Sequence, residues 1–538
     1  MAQTAVQVSP NLRARPSFLE RHRRRLTAWS LGNARLLRPW RWWWLLLLLA
    51  AVMVVYVFFG SAGRMFKSWP IYMTEYDMLS DSFRQGHTYL PIVPDPKLVA
   101  APNPYDPVNS HLWVLDESYY KGKYYLYWGP VPPLLQALVK AALGIDWTIG
   151  DQYIVFVAWC VASSAITVLL WRLSRRLFGE VPRALFVASV VAYAFANPVL
   201  HLITSAGVYQ AAISAGQAFL WIGVALASEV LFRAQTGRTY WRYCLLTGVA
   251  FALAMGSRLS LLLAMVPITA LTALFVAFAA RAGTKLIHRF FALINVGFCV
   301  GLPMALCMGG LMLYNKARFD DYFESGIKLQ LSSFPFAFSF KYFPANLHAY
   351  FLEKFRLSSE FPWVIQQSLL RGSGLPEWIN VPPGYADIEP HTGVLRVVPI
   401  VWLAPVALAV LLGFMRPTAW RKRGPHAALY AHACLSFALA GSVTAIPVWG
   451  LYVPSMRYLG DFTGGLVLLG VLGGLSLYMW AKQRVVLRKL VSATICTLSG
   501  LTLLFGLLLG YQGYMGHFEK KNPKLHEALT KALSFQSH

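Results

Sequence analysis

Long apolar runs recur along the chain, and most of them approach the length that an α-helix needs to cross a membrane. A transmembrane helix takes about 20 consecutive apolar residues. We expect one helix over each of eleven runs: 42–60, 152–171, 184–203, 209–232, 243–256, 260–280, 290–313, 394–415, 427–448, 462–480 and 490–511. The pattern therefore predicts an all-α polytopic membrane protein with about 11 transmembrane helices.

The same pattern divides the chain into parts and leaves two long loops between otherwise short turns. We expect these parts, in chain order: a basic N-terminal segment at 1–41, a transmembrane module of about seven helices at 42–313 that includes a loop at 61–151, a second long loop at 314–393, transmembrane helices at 394–511 and a tail at 512–538. Long loops in compact proteins are usually functional. We therefore expect the chemistry to lie in the two loops.

Composition and charge indicate how the helices are oriented. The chain is 57% hydrophobic and 13% charged, with a net charge of +25. Lys and Arg are enriched in the cytoplasmic loops of membrane proteins. If 152–171 is the second span, the N-terminus and the later basic turns all lie in the cytoplasm, whereas a further span at 128–144 would turn those later basic turns outward. We therefore expect 128–144 to lie along the outer leaflet, both long loops and the tail to lie outside, and no nucleic acid to bind.

Acidic residues follow the first span within a predicted helix at 71–85. Apolar residues recur on one face of this segment, and Gly86 is expected to end the helix. Asp77 and Asp81 are four positions apart and share another face, with Glu75 close by. Like charges at this spacing are mildly destabilising. The pattern is typical either of a solvated helix face or of a general base or cation site.

An aromatic turn precedes the apolar segment 128–144. Lys121 and Lys123 lie among tyrosines, and the pair Pro132-Pro133 opens the apolar segment. Tyr and Trp suit the level of the lipid headgroups. The two lysines are therefore predicted to contact either lipid headgroups or a phosphate-bearing substrate.

Several short motifs resemble glycosyltransferases of the GT-C superfamily. The similarity is greatest to the glycosyltransferase 39 group, which includes protein O-mannosyltransferases and the lipid A aminoarabinose transferase. An acidic helix after the first span, then Gly-Lys-Tyr-Tyr at 122–125 and Pro-Pro-Leu at 132–134, resembles the first external loop of that group. Later similarities are a short span that ends at Arg258, the segment YNKARFDDYFESG at 314–326 and the segment MRYLGDF at 456–462.

The resemblance implies a sugar transfer at the outer, periplasmic face of a bacterial inner membrane. The donor would be a polyprenyl-phosphate sugar, and the acceptor would be a lipid, a glycan or a protein. A first-loop carboxylate would serve as the base, with Asp77 favoured, then Asp81, then Glu75. The cations expected to bind the donor phosphate are Lys121, Lys123, Arg258, Arg318 and Arg457. The residues expected to complete the substrate cavity are Tyr76, Tyr124, Tyr125, Trp128, Asp116 and Asp461.

Some residues in this set keep a second interpretation. Arg258 lies between two apolar runs, where a cation either extends towards the membrane surface or binds an anion. Arg457 and Asp461 are four positions apart, which equally predicts an ion pair between them. The histidines show no ligand spacing, so we expect no cofactor and no metal ligands, while a divalent metal remains compatible with the resemblance.

Two further interpretations concern the second loop and the class of protein. Amphipathic helices are predicted at 341–357 and 361–372, where they would cover the cavity at the membrane interface. A transporter or flippase of lipid-linked glycans is the alternative from another class, but such proteins place ionisable groups at mid-membrane and often contain repeats. An O-antigen ligase or polymerase is the third candidate. The position of the acidic loop directly after the first span favours the glycosyltransferase.

Overall fold

Helices dominate the fold because apolar segments in a membrane must satisfy their backbone hydrogen bonds internally. The computed structural model describes residues 43–279, 285–332, 337–367, 375–380, 382–386, 389–415 and 417–535. The predicted basic segment at 1–41 lies outside these described residues. From Leu47 onward, the described residues belong to one compact unit.

The α-helices are, in chain order, α1 (Trp43–Gly60), α2 (Glu75–Arg84), α3 (Pro96–Val99), α4 (Val131–Leu143), α5 (Gln152–Leu173), α6 (Arg183–Ala194), α7 (Val199–Thr204), α8 (Val208–Gln235), α9 (Trp241–Ser257), α10 (Leu262–Ala279), α11 (Leu286–Phe319), α12 (Phe343–Phe351), α13 (Val394–Val397), α14 (Ala404–Met415), α15 (Pro417–Ser442), α16 (Ile446–Trp449), α17 (Thr463–Ala481), α18 (Val485–Gln512), α19 (His517–Lys521) and α20 (Pro523–Leu533). Two antiparallel strand pairs complete the regular structure: β1 (Ser118–Tyr120) with β2 (Lys123–Tyr125), and β3 (Arg356–Leu357) with β4 (Val364–Ile365).

The helix lengths confirm an all-α polytopic membrane protein. Within the described ranges, eight helical segments are long and apolar enough to cross a membrane: Trp43–Gly60, Gln152–Phe178, Val208–Gln235, Leu259–Phe278, Leu286–Phe319, Gly424–Trp449, Thr463–Ala481 and Val485–Lys521. The other three predicted spans are helical but shorter or interrupted. The run at 184–203 is divided into α6 and α7 because Pro198, directly before α7, cannot supply a backbone N–H to a continuous helix.

Within the segment 128–144, residues Val131–Leu143 form the short helix α4. Its 13 residues extend only about 20 Å, less than the hydrocarbon thickness of roughly 30 Å. Gln136 and Lys140 lie on its buried face, whereas Leu134 and Leu138 are exposed. This length and this amphipathic pattern agree with the predicted non-spanning segment.

The two long loops are joined by backbone hydrogen bonds next to the β1–β2 hairpin. The Asp116 N–H donates to the Leu331 carbonyl at 2.9 Å, and the Leu331 N–H donates to the Glu117 carbonyl at 2.8 Å. The Ser118 hydroxyl donates to the Gly326 carbonyl at 2.9 Å. The first loop is therefore held by the segment that follows α11.

The second loop has less helix than predicted. The helix expected at 341–357 is confined to α12 and the 3-10 turn before it, Phe340–Tyr342. The prediction of a helix at 361–372 is wrong over 361–367, because β4 in this segment pairs with β3. Residues 368–372 lie outside the described residues. A helix cannot continue here because Pro362 lacks a donor and Trp363 has a φ of 63°.

The tail from residue 512 is helical and packs against the loops. The Asn522 side-chain amide donates to the Ala62 carbonyl at 2.8 Å. The Trp363 indole N–H donates to the Leu533 carbonyl at 3.0 Å. These contacts place the tail at the same end of the helices as both long loops, which we call the loop end.

Candidate active site

A cavity of about 650 Å³ opens at the loop end of the helices. Its charged and aromatic lining comes from distant parts of the chain: the first loop supplies Asp116 and Trp128, the α9–α10 connection supplies Arg258, the end of α11 supplies Arg318, and the segment before α17 supplies Arg457. Its volume falls within the range of small-molecule sites, about 300–1,000 Å³. The structure thus brings five of the predicted site residues together around one cavity.

Arg258 forms a bidentate ion pair. α9 ends at Ser257, and the extended backbone of Arg258 directs its side chain to Asp461. Its Nε and Nη2 donate to the two carboxylate oxygens of Asp461, each at 2.5 Å. The Asp461 side chain is fully buried and does not line the cavity. The predicted pair between Asp461 and Arg457 is therefore wrong.

Arg457 has a different carboxylate partner. Its Nη2 lies 3.0 Å from Oε1 of Glu389, and the Ser455 hydroxyl donates a hydrogen bond to the other oxygen, Oε2. Its guanidinium lies 4.2 Å from the ring centroid of Tyr209. Burial alone would lower the pKa of Arg457, but the neighbouring Glu389 raises this pKa well above its ordinary value. Arg457 is thus a fixed cation whose charge is largely compensated.

Arg318 is a buried cation of another kind. Its side chain is only 4% exposed, and its Nη1 and Nη2 donate to the Leu126 carbonyl and to Oδ1 of Asn315 at 2.5 and 2.8 Å. Its Nε has no hydrogen-bond partner. Across the described ranges, no carboxylate lies within ion-pair distance of Arg318. Because a buried charge without a counter-charge is costly, this arginine is suited to bind an anion.

Asp116 is the carboxylate of the first loop that lines the cavity. Its Oδ1 accepts a hydrogen bond from the Gln330 side-chain amide at 3.2 Å. Its φ of 69° lies in the left-handed region, which a non-glycine residue rarely adopts. Backbone strain of this kind is often found at functional sites. The hydrogen bond from Gln330 in the second loop therefore fixes the orientation of the Asp116 carboxylate.

Three further carboxyls lie close to one another: those of Glu117 and Asp151 are buried, and that of Glu75 is partly buried. One oxygen of each has no hydrogen-bond partner. Burial, together with the charge of Glu75, raises the pKa of Glu117 and of Asp151 well above the ordinary range, and burial also raises the pKa of Glu75. In the part of the chain that the structure describes, no three His, Cys, Asp or Glu residues are grouped so that they could hold a metal ion. Because burial raises the pKa of all three carboxyls, it favours their protonated form.

Sequence reasoning did not single out Glu117 and Asp151. Glu117 stands next to Asp116 in a polar loop, where acidic residues are usually solvated. Asp151 directly precedes the apolar run of α5. Its position at the edge of an apolar run was the available signal, because burying an ionised carboxylate is costly unless it is paired or protonated.

Asp77 and Asp81 lie away from the cavity and bind Lys140. The Lys140 ammonium is fully buried, 2.9 Å from Oδ1 of Asp77 and 2.7 Å from Oδ1 of Asp81. The Gln136 amide also donates to Asp77 at 2.8 Å. These contacts tie α2 to α4. The geometry therefore favours a structural role for both carboxylates over the predicted role of base.

The predicted lysines are also engaged outside the cavity. Lys121 pairs with Asp320 at 2.8 Å, and both side chains are largely exposed. The Lys123 ammonium lies 4.0 Å from the ring centroid of Tyr89. Neither lysine lines the cavity. The geometry thus separates both lysines from the three cavity arginines.

Trp128 is the member of the predicted aromatic set that lines the cavity. It stacks on Tyr127, with ring centroids 4.0 Å apart. Tyr76 donates its hydroxyl to the Gly129 carbonyl at 3.0 Å. Tyr124 and Tyr125 are buried in strand β2 and do not line the cavity. Tyr76 therefore supports the segment that carries Trp128.

No family model matches the chain, and no curated protein matches it in sequence. One similar solved structure is the archaeal oligosaccharyltransferase AglB from Archaeoglobus fulgidus in complex with an inhibitory peptide and a dolichol-phosphate, with a TM-score of 0.43, 11% identity, and coverage of 92% of this chain and 60% of that chain. Another is the apo form of the Archaeoglobus fulgidus oligosaccharyltransferase, with a TM-score of 0.38, 14% identity, and coverage of 93% and 57%. The chain thus spans about 60% of the length of these structures, and likeness at this level establishes neither a family nor a function.

Proposed function

We propose that this chain is a membrane glycosyltransferase. It would transfer a sugar from a polyprenyl-phosphate donor to a lipid, glycan or protein acceptor at the outer face of a bacterial inner membrane. The observation that carries the proposal is Arg318, a buried guanidinium without a carboxylate partner in the described residues, at a cavity that also contains Asp116. The short motifs shared with GT-C glycosyltransferases support the same assignment.

The three cavity arginines are suited to hold the donor phosphate, which is also the leaving group. Arg318 supplies a positive charge that no carboxylate of the described residues pairs with, although its guanidinium lies 3.9 Å from the ring centroid of Tyr314. Arg258 and Arg457, which are held in place by Asp461 and Glu389, add oriented N–H groups. Fixed donors of this kind stabilise charge that develops on a leaving phosphate, because they need no reorganisation during the reaction.

Asp116 is suited to act as the base. The acceptor hydroxyl oxygen would attack the anomeric carbon of the sugar as the bond from that carbon to the phosphate oxygen breaks. The phosphate would keep the electron pair, and Asp116 would take the proton of the hydroxyl. The hydrogen bond from Gln330 would hold the carboxylate towards the cavity.

The test is a transfer assay with the purified full chain in lipid nanodiscs and a panel of polyprenyl-phosphate sugars. Release of polyprenyl phosphate with transfer of the sugar is expected. The same chain in sealed vesicles is the second part of the test. A transporter would move the donor without cleaving it, so intact donor on the opposite side of the vesicle without release of polyprenyl phosphate would overturn the proposal.

A binding measurement tests the phosphate site separately. Arg318→Gln should weaken the binding of polyprenyl phosphate roughly 10- to 100-fold, because a hydrogen bond to a charged group contributes about 1.5–3 kcal/mol. Lys316→Gln is the matched control, since it removes an exposed cation from the same helix. Equal binding by both variants would remove Arg318 from the site.

A further inference from the structure

Three arginines surround one carboxylate at the far end of α5 and α8, both of which begin at the loop end. The Glu229 side chain on α8 is only 7% exposed. Its Oε2 accepts from Nη1 of Arg172 at 3.3 Å and from Nη2 of Arg176 at 2.6 Å. Its Oε1 accepts from Nε of Arg233 at 3.1 Å. We call these four residues the arginine cluster.

The arginine cluster carries more positive charge than its carboxylate compensates. Three guanidinium groups share one carboxylate, so two positive charges are in excess. Among the described residues, no other carboxylate lies within ion-pair distance of these three arginines. Like charges repel more strongly where burial limits screening by water. The cluster is therefore suited to bind a further anion.

Arg172 is the arginine of the cluster that is most accessible to a ligand. Arg233 also donates to the Tyr243 hydroxyl at 2.9 Å, and Arg176 has the shortest contact with Glu229 and is 11% exposed. Within the described part of the chain, Arg172 has only its long contact with Glu229, and its side chain is 38% exposed. Arg172 thus retains guanidinium N–H groups that can bind an anion.

Arg172 also ends an exposed face of a membrane-spanning helix. Val157 and Val168 of α5 are 55% and 41% exposed. Because Val168 precedes Arg172 by four positions and follows Val157 by three helical turns, the three residues lie on one side of α5. The helix from Val157 to Arg172 extends about 22 Å. A lipid along this face would therefore bring its headgroup to Arg172.

We propose that the arginine cluster binds the phosphate of an anionic phospholipid headgroup. Basic pockets between transmembrane helices are suited to such headgroups, and a guanidinium can donate two parallel hydrogen bonds to one phosphate. Arg176 lies in the π-helical turn Ser174–Phe178, a rare form that is frequently found at functional sites. The site is at the opposite end of the helices from the active-site cavity, so it does not depend on the proposed function.

The experiment is native mass spectrometry of the full chain released from nanodiscs that contain phosphatidylglycerol and phosphatidylcholine in equal amounts. The wild-type chain is expected to retain phosphatidylglycerol selectively. Arg172→Gln should weaken this retention about tenfold or more, because it removes hydrogen bonds to a charged group. Arg172→Lys should keep part of the retention. Arg242→Gln is the matched control, because Arg242 is an exposed arginine at the same end of the helices.

The outcomes separate a lipid site from other origins. Equal retention of phosphatidylglycerol by the wild-type chain and Arg172→Gln, or an equal loss in Arg242→Gln, would overturn the proposal. A wild-type chain without preference for phosphatidylglycerol would overturn it even if Arg172→Gln failed to fold. Inorganic phosphate in phosphatidylcholine nanodiscs probes the other source of the same chemistry. If it raised the melting temperature of a wild-type chain that showed no lipid preference, the cluster would be assigned to free phosphate instead.

Discussion

Arg258 and Asp461 form two parallel hydrogen bonds of 2.5 Å, although 203 positions separate them in the chain. The pair joins the end of α9 to the 3-10 segment Met456–Asp461. Both side chains are largely buried, and the carboxylate is fully so. The pair therefore fixes the position of Arg258, which lines the cavity.

Asp461→Asn should destabilise the protein by about 3–5 kcal/mol, because it leaves the Arg258 charge buried without its partner. Thermal unfolding in detergent micelles measures the effect. The double variant Arg258→Met/Asp461→Leu should lose less stability than the sum of the losses in the single variants Arg258→Met and Asp461→Leu. Additive losses would show that the two residues are not coupled.

Asp116→Asn should reduce sugar transfer by about 10²- to 10⁴-fold, the usual contribution of a general base. Binding of polyprenyl phosphate should be unchanged, since the proposed phosphate site consists of the arginines. Asp81→Asn is the control on the first loop, because Asp81 binds Lys140 away from the cavity. The effect is measured as the initial rate of sugar transfer at saturating donor. An inactive Asp81→Asn variant together with an active Asp116→Asn variant would show that the base lies on α2.

Lys140→Met should destabilise the contact between α2 and α4, because Asp77 then remains buried without its cation. The expected cost is about 3–5 kcal/mol. Adding Asp77→Asn should recover part of the loss, as measured by melting temperature. No recovery would mean that the ammonium stabilises α4 independently of Asp77.

The buried carboxyls predict a dependence of stability on pH. Because burial raises the pKa of Glu117 and Asp151 in the folded chain, these groups hold protons that the unfolded chain has released. Stability is therefore full below the unfolded pKa of about 4 and falls as the pH rises towards the folded pKa. Glu117→Gln should raise the melting temperature by a few degrees at pH 8, with a smaller gain near pH 4. A gain that is equal at both pH values would contradict this origin.

The sequence indicated the helices well because their apolar runs act locally. It also indicated Arg258, Arg318 and Arg457 as cavity cations. It did not indicate their partners, because these depend on contacts between distant segments. The predicted ion pair between Arg457 and Asp461 was wrong because Met456–Asp461 is a 3-10 helix, in which positions four apart do not share a face.

The acids of the first loop show the same limit. Asp77 and Asp81 share a helix face, as predicted, but that face meets Lys140. A lone lysine in the apolar segment 128–144 was the available signal for a buried partner, because an unpaired buried cation is costly. The position of Asp116 depends on Gln330 and Leu331, which no local pattern connects to it.

The hydrogen bonds between Asp116 and the segment at Gln330 and Leu331 also set an order of events during biosynthesis. Asp116 leaves the ribosome 214 positions before Gln330. At about 5–20 residues per second, that interval lasts roughly 10–40 s. Until then the nascent chain has no fixed carboxylate at this position. The proposed catalytic carboxylate would therefore take its final position only after α11 has been inserted into the membrane.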